Sequence, residues 1–267
     1  MSYIICIPSY KRHIICQNKT LTMLKNNNID SKCIYVYVAS QEEYDLYKNS
    51  LDETYYNELI IGELGLTHQR QFIQQQFPVN TNIVFFDDDI ESVDLSLSPK
   101  YSINNLDYFI KDAFSECIIN KAFIWGVYPV LNAFFRKTKS ELSTELKYIV
   151  GAFYGIINRP DLSSIKLTIT NIDGQKEDVE RTLKYFIHDG IVLRFNKIGF
   201  KTKYYGKEGG LGTFKNRLEP MKNASINLHT IYPQYGNIKV RSNGMTEFVL
   251  KKIKSLLVYN ALPNEKN

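Results

Sequence analysis

The strongest constraint in this chain is a rhythm. Up to Glu91, short runs of β-branched and aromatic residues alternate with segments of helix length. Residues 3–8, 33–39, 58–62 and 83–86 read as strands, with helices expected over 17–27, from a Ser40 cap onward, and over 66–76. Apolar runs of this kind belong to strands buried on both faces. Pro8 and Pro78 close their elements, and Ser40 followed by Glu42 and Glu43 is a helix start. Such alternation predicts an α/β fold, a Rossmann-type, mostly parallel sheet with helices on both faces. Ligands of such sheets gather at the carboxyl ends of the strands. That edge would collect Pro8, Ser9, Tyr10 and Arg12, then residues 39–41, 63–70 and 87–89.

The fourth strand runs straight into Asp87, Asp88 and Asp89. Adjacent carboxylates at a buried strand end repel one another and lose solvation, and a bound cation relieves both. Oxygen ligands suit a hard ion, Mg²⁺ or Mn²⁺, with positions left open for phosphates. The rival reading is a strand followed by a solvated acidic turn. Asp-x-Asp after a strand also occurs in haloacid-dehalogenase-type phosphatases. Those place it after the first strand and follow it with Thr or Val, whereas here it follows the fourth and leads to Glu91.

Beyond Glu91 the rhythm loosens into a smaller, mixed or antiparallel region. A helix is expected over 104–120, a strand-like stretch over 123–135 holding the single tryptophan, Trp125, and an apolar stretch over 148–157 broken by Gly151 and Gly155. Glycine there marks close approach of the backbone to another group. A helix over 176–186 opens with Glu177 and Asp178, paired strands are expected at 191–195 and 201–205, and a last helix at 246–260. Without a repeat or linker, the chain reads as one domain, with a regular first half, 1–91, and a looser second half, 92–267. Net charge is +5, which tolerates nucleotide or nucleic-acid partners. The four cysteines have no Cys-x-x-Cys spacing and read as reduced core residues. Neither a signal peptide nor a membrane-spanning run is read, so the expectation is a soluble, cytoplasmic protein without a membrane partner.

Taken together, these residues resemble a glycosyltransferase of the GT-A fold. The resemblance implies that Pro8, Ser9, Tyr10 and Arg12 lie on the nucleotide side and that Arg70 faces the sugar nucleotide, with Asp87 and Asp88 also at the donor. It implies Asp87 and Asp89 as the metal-binding Asp-x-Asp, His229 as a further metal ligand, and Glu177 or Asp178 as the base of an inverting reaction. The closest form of the resemblance is to the TET-associated glycosyltransferases of phages and large viruses, thought to glycosylate hydroxymethylated pyrimidines in DNA. Residues 125–132, 177–182 and 203–205 before Gly209 and Gly210 carry it. It implies a UDP-sugar donor, UDP-glucose favoured, Mn²⁺ or Mg²⁺ as cofactor, and DNA as acceptor.

Candidate acceptor contacts are Trp125, Lys203, Tyr205, Gly209, Gly210, Lys215 and Arg217, since basic residues interleaved with aromatics suit a phosphate backbone and an unstacked base. A base in duplex DNA would be flipped into the pocket. Each assignment has a plainer rival. Glu177 and Asp178 are also what a helix dipole selects, Trp125 also suits a core, His229 a surface loop, and the basic stretch a solvated hairpin face. At the level of function, the alternatives are a transferase acting on a glycan, lipid or protein, and a DNA-binding protein with a structural cation.

Overall fold

The computed structural model describes residues 1–101, 105–168, 175–202 and 213–255. In the first half the expected alternation forms. Strand β1 (Ile4–Pro8) leads into helix α1 (His13–Cys16), a π-helical turn (Gln17–Leu21) and helix α2 (Thr22–Asn26). Strand β2 (Ile34–Val38), helix α3 (Gln41–Ser50), strand β3 (Glu58–Ile61), helix α4 (Leu66–Gln76) and strand β4 (Asn82–Phe86) follow. The Ser40 hydroxyl caps α3 by accepting from Glu43 N at 3.3 Å. Gly65, at φ 93°, turns the chain into α4 in a conformation that side chains disfavour.

The second half contributes β5 (Ser92–Asp94), α5 (Leu106–Asn120), β6 (Ile124–Val127), α6 (Ala133–Arg136), β7 (Leu142–Ser143) and β8 (Phe153–Ile157). Then come α7 (Glu177–Asp189), β9 (Leu193–Phe195), β10 (Gly199–Lys201), α8 (Phe214–Ile231), β11 (Gly236–Val240) and β12 (Thr246–Leu250). The large sheet runs β3-β2-β1-β4-β8-β6-β9-β7. The pairs β3–β2, β2–β1, β1–β4 and β6–β9 are parallel, while β8 runs against both β4 and β6 and β7 against β9. An α/β, mostly parallel sheet with small antiparallel ribbons is therefore what forms.

Side chains alternate across β4 as the pleat requires. Val84 and Phe86 join the core under α2, α3 and α5, and Ile83 and Phe85 the core under α4, α7 and α8. Opposite residues stack where β4 meets β8: Phe85 on Tyr154 at 4.9 Å and Phe86 on Phe153 at 4.1 Å between ring centroids.

Three expectations for the second half are corrected. Residues 246–250 form a strand, not the start of a helix: Gly244 at φ 84° turns the chain back, and Phe248 packs where Gly236 has no side chain. The strand at 193–195, β9, has β6 and β7 on its two edges, and β10, which ends at Lys201, pairs with β5 rather than with β9; residues 203–205 of the expected partner lie outside the described residues. Only residues 124–127 of the strand-like stretch 123–135 are extended. Among the described residues, no helix is long and apolar enough to cross a membrane.

Candidate active site

Parallel pairing brings the ends of β1, β2, β3 and β4 to one edge. Because β8 is reversed, the segment that enters it lies there as well, and Asp87 N donates to Ala152 O at 2.9 Å. After β1, Ser9 is buried and its hydroxyl donates to Asp88 Oδ2 at 2.6 Å. The Tyr47 hydroxyl lies 2.7 Å from Ser9 Oγ and accepts from Arg12 N at 2.9 Å. Glu43 accepts from Lys11 N at 2.7 Å and from Ala39 N at 3.1 Å, tying the loops after β1 and β2 together.

The three aspartates are held by different groups. Arg12 Nη1 donates to Asp88 Oδ1 at 3.0 Å and to Asp89 Oδ2 at 3.2 Å. Thr202 Oγ1 donates to Asp89 Oδ1 at 2.6 Å, and Arg70 Nη2 to Asp87 Oδ1 at 2.8 Å. Burial lifts Asp87 to about 7 against the pull of Arg70, with the Asp89 and Asp88 carboxylates adding repulsion. Burial also lifts Asp88 to about 6, opposed chiefly by Arg12 and Ser9. The backbone of this run is pinned from the π-helical turn. Thr20 Oγ1 donates to Asp87 O at 2.7 Å and accepts from Ile90 N at 2.9 Å. Single π-helical turns of this kind recur at functional sites.

Across the edge, Arg70 links the aspartates to the start of α7. Its guanidinium donates to Gly151 O at 2.7 Å and pairs with buried Glu177. Arg181 Nη1 holds the other Glu177 oxygen at 2.6 Å, with its guanidinium 3.8 Å over the Tyr154 ring. A Cβ on Gly151 would stand 3.0 Å from both Arg70 Nη1 and Glu177 Oε1, so glycine is what lets this network close. Asp178 is half-buried beside it and accepts from the Tyr148 hydroxyl and from Gly151 N at 3.3 Å.

Pro8, Ser9, Tyr10, Arg12, Arg70, Asp87, Asp88, Asp89, Glu177 and Asp178 thus share one edge of the sheet. Trp125 does not join them. It is fully buried, edge-on to Phe109, Phe114 and Phe153, with Gly155 directly across the strand pair. Its acceptor role is corrected to core packing, since a Cβ on Gly155 would fall 2.3 Å from Trp125 Nε1. His229 lies in the last turn of α8 rather than in a loop, its ring tilted against Phe248 at 6.3 Å. Among the described residues, no group of three His, Cys, Asp or Glu side chains stands together as a metal site, so His229 is not brought to the aspartates. Lys215 is exposed and Arg217 donates to Gln175 Oε1 at 3.1 Å; both stand on the first turn of α8, not on a hairpin. Lys203, Tyr205, Gly209 and Gly210 lie outside the described residues. Sequence reasoning missed Thr20, Glu43, Tyr47, Tyr148 and Arg181. Only Glu43 carried a signal, as the third residue after the Ser40 cap.

No protein-family model matches the chain, and no curated protein is significantly similar to it. Solved structures do resemble it. One is S. aureus TarS 1-349, at 12% identity and TM-score 0.47, covering 86% of this chain and 66% of that one, just under two thirds. Another is glucosyl-3-phosphoglycerate synthase from Mycobacterium tuberculosis in complex with Mn²⁺, UDP-glucose and phosphoglyceric acid, at 8% identity and TM-score 0.48, covering 97% of this chain and 91% of that one. A third is UDP-glucose pyrophosphorylase complexed with UDP-glucose, at 11% identity and TM-score 0.44, covering 85% and 99%. At these scores the likeness carries no conclusion about ligand or reaction.

Proposed function

We propose that this chain is a metal-dependent glycosyltransferase of the GT-A type. It moves a hexose, glucose being favoured, from a UDP-sugar to the hydroxyl of a hydroxymethylated pyrimidine in DNA. The observation that carries the transferase reading is the pairing of two acidic groups across Arg70: the crowded aspartates after β4 and the Glu177–Asp178 start of α7. A donor diphosphate needs cationic and N–H groups on one side of the reacting carbon, and an acceptor hydroxyl needs a carboxylate on the other.

The donor set suits a hard divalent ion. Asp87 Oδ1 pairs with Arg70, its second oxygen has no hydrogen-bond partner among the described residues, and its raised pKa reflects a charge that a cation would compensate. Asp87 and Asp89 would hold Mn²⁺ or Mg²⁺, which when bound supplies positive charge to the leaving diphosphate. Arg12 and Arg70 add fixed positive charge on the same side. Glu177, clamped by two buried guanidiniums, positions Arg70. Asp178 is then the acid suited to take the acceptor proton, and a single base opposite the leaving group inverts the anomeric centre. Exposed Lys215, beside a net charge of +5, favours a polyanionic acceptor, while exposed Lys201 is paired with Glu91 at 2.7 Å.

The deciding experiment is a sugar-nucleotide hydrolysis panel with and without Mn²⁺, followed by transfer to duplexes carrying hydroxymethylcytosine, hydroxymethyluracil or no modification. Metal-dependent hydrolysis of a UDP-hexose, lost in Asp89→Ala, and transfer only to modified duplexes are expected. Undiminished hydrolysis in EDTA overturns the metal role. Transfer to a free sugar, lipid or peptide but to neither modified duplex retires DNA as the acceptor.

A further inference from the structure

Strand β6 runs in the same direction as β4, since both lie antiparallel to β8, so the chain after β6 leaves at the same edge as the aspartates. It soon forms α6, a single turn that carries Phe134 and Phe135, 68% and 50% exposed. Exposed apolar side chains are ordinary when scattered singly, whereas two adjacent phenylalanines on one turn mark a contact surface. Their rings meet edge to face at 5.3 Å between centroids.

The turn that presents them is held firmly. Arg136, the next residue, is fully buried and ties the turn down from beneath. Its Nε donates to Leu131 O at 3.0 Å, its Nη1 to Lys197 O at 2.6 Å, and its Nη2 to Leu131 O at 2.6 Å and to the Asp94 carboxylate. Asn132 Oδ1 accepts from Phe134 N at 2.9 Å. A Cβ on Gly199 would stand 2.9 Å from Arg136 Cζ, so glycine makes room for the anchor. Asp94 and Gly199 are partners at one end of the β5–β10 ribbon. At its other end Glu91 N donates to Lys201 O at 2.8 Å, and Thr202 holds Asp89 at 2.6 Å. Two residues of strand, roughly 7 Å, thus separate the mount of the phenylalanines from the ribbon's end at the aspartates.

The charge around the rings is positive. Lys137 and Lys139 are exposed and form no ion pair among the described residues, and Lys137 Nζ lies 5.9 Å from the Phe134 ring centroid. Lys197 Nζ donates to Lys137 O. Of the carboxylates nearby in the chain and fold, Asp94 is taken by Arg136, and Glu141 accepts from the Ser98 hydroxyl at 2.7 Å. Aromatic rings beside cations match the two parts of a nucleic-acid strand, its unstacked bases and its phosphates. A fixed mount favours that occupant over a lipid surface, because it holds a base at a set distance from the reacting groups.

We propose that Phe134 and Phe135 form the acceptor platform, stacking on an unpaired base of a DNA strand whose phosphates meet Lys137 and Lys139. This rests on the reading of DNA as acceptor, and it gives the turn the stacking role that buried Trp125 does not have.

Fluorescence anisotropy of a short labelled single strand, titrated with the whole chain, tests the platform without any sugar donor. Wild type should bind, and the Phe134→Ala, Phe135→Ala pair should bind roughly tenfold or more weakly. The corresponding tyrosine pair should restore affinity. Changing Lys137 and Lys139 together to Gln should flatten the log–log salt dependence by about 1.4. A fully abasic strand should bind wild type as weakly as the normal strand binds the alanine pair. Ile119→Ala, which removes a side chain 72% exposed on α5, should leave binding unchanged. Full affinity in the alanine pair, or equal affinity for normal and abasic strands, overturns the platform and leaves the DNA acceptor standing. Absence of binding by wild type overturns both, and capture on phosphatidylserine vesicles that the alanine pair loses would assign the turn to a membrane instead.

Discussion

The aspartates after β4 and the glutamate at the start of α7 face each other across Arg70, yet the protein treats them in opposite ways. Glu177 is surrounded by compensation, with one buried guanidinium on each carboxylate oxygen. Asp87, Asp88 and Asp89 share Arg12 and one arm of Arg70, and two of the three are pushed up to about 7 and 6. The first group is neutralised from within and behaves as framework. The second keeps negative charge in excess and is where an external cation gains most. Acidity in the sequence therefore marks both, and only the count of neighbouring cations separates scaffold from site.

The sharpest way to break this comparison is to remove the framework acid. Glu177→Gln leaves Arg181 buried without its counter-charge and should cost about 3–5 kcal/mol, read as a lower urea midpoint. A variant as stable as wild type would mean that Glu177 is not structural. Next in size, Asp178→Asn should slow transfer by roughly two orders of magnitude as a general base is lost, while UDP affinity measured by titration stays put. If Glu177→Gln, kept folded at low temperature, showed that loss and Asp178→Asn did not, the base would move to its neighbour.

A third substitution tests how the aspartates are aimed. Thr20→Val leaves Asp87 O and Ile90 N without their hydroxyl partner, at a cost of about 1–3 kcal/mol. Mn²⁺ affinity, followed by calorimetry, should fall with it, and unaltered affinity would show that the π-helical turn does not position the run. The smallest effect is a pH dependence. Asp87 binds its proton more tightly in the folded chain, about 7 against 3.8. Its contribution to stability is therefore full below about pH 4 and is lost as pH rises through about 7. Thermal unfolding in EDTA should show that decline across the window, shallower in Asp87→Asn. Added Mn²⁺ should protect more at the upper end of the window than at the lower, and equal protection at both ends would count against metal binding by Asp87.

Much of this arrangement could be read before any coordinates. The apolar runs of β1, β2 and β4 have no polar face, and each stops at a loop of polar residues, which fixes both the parallel sheet and its chemical edge. Legibility fails where the deciding contact is distant in sequence. Trp125 looked like a platform because nothing near it reveals that Gly155, on the neighbouring strand, exists to receive its indole. The helix at residues 214–231 was obscured by Pro220 inside it. The strand at 246–250 reads as helical until Phe248 is seen packing on Gly236. Arg181, one helical turn beyond Glu177, gave no sign that it would close the ion pair from below.

The reversal of β8 bears on the order in which the molecule comes together. Strands β1 to β4 are hydrogen-bonded neighbours, complete with the aspartates by residue 89, and need nothing later in the chain to pair with one another. In the described sheet β6 is linked to these four strands only through β8, which is made after it, and its other neighbour, β9, is made later still. A chain emerging from its amino end thus carries its carboxylates long before Gly151 and Glu177 arrive to fix Arg70. Assembly of the edge waits on a strand inserted out of turn, and the chemistry assigned to it cannot start on a half-made protein.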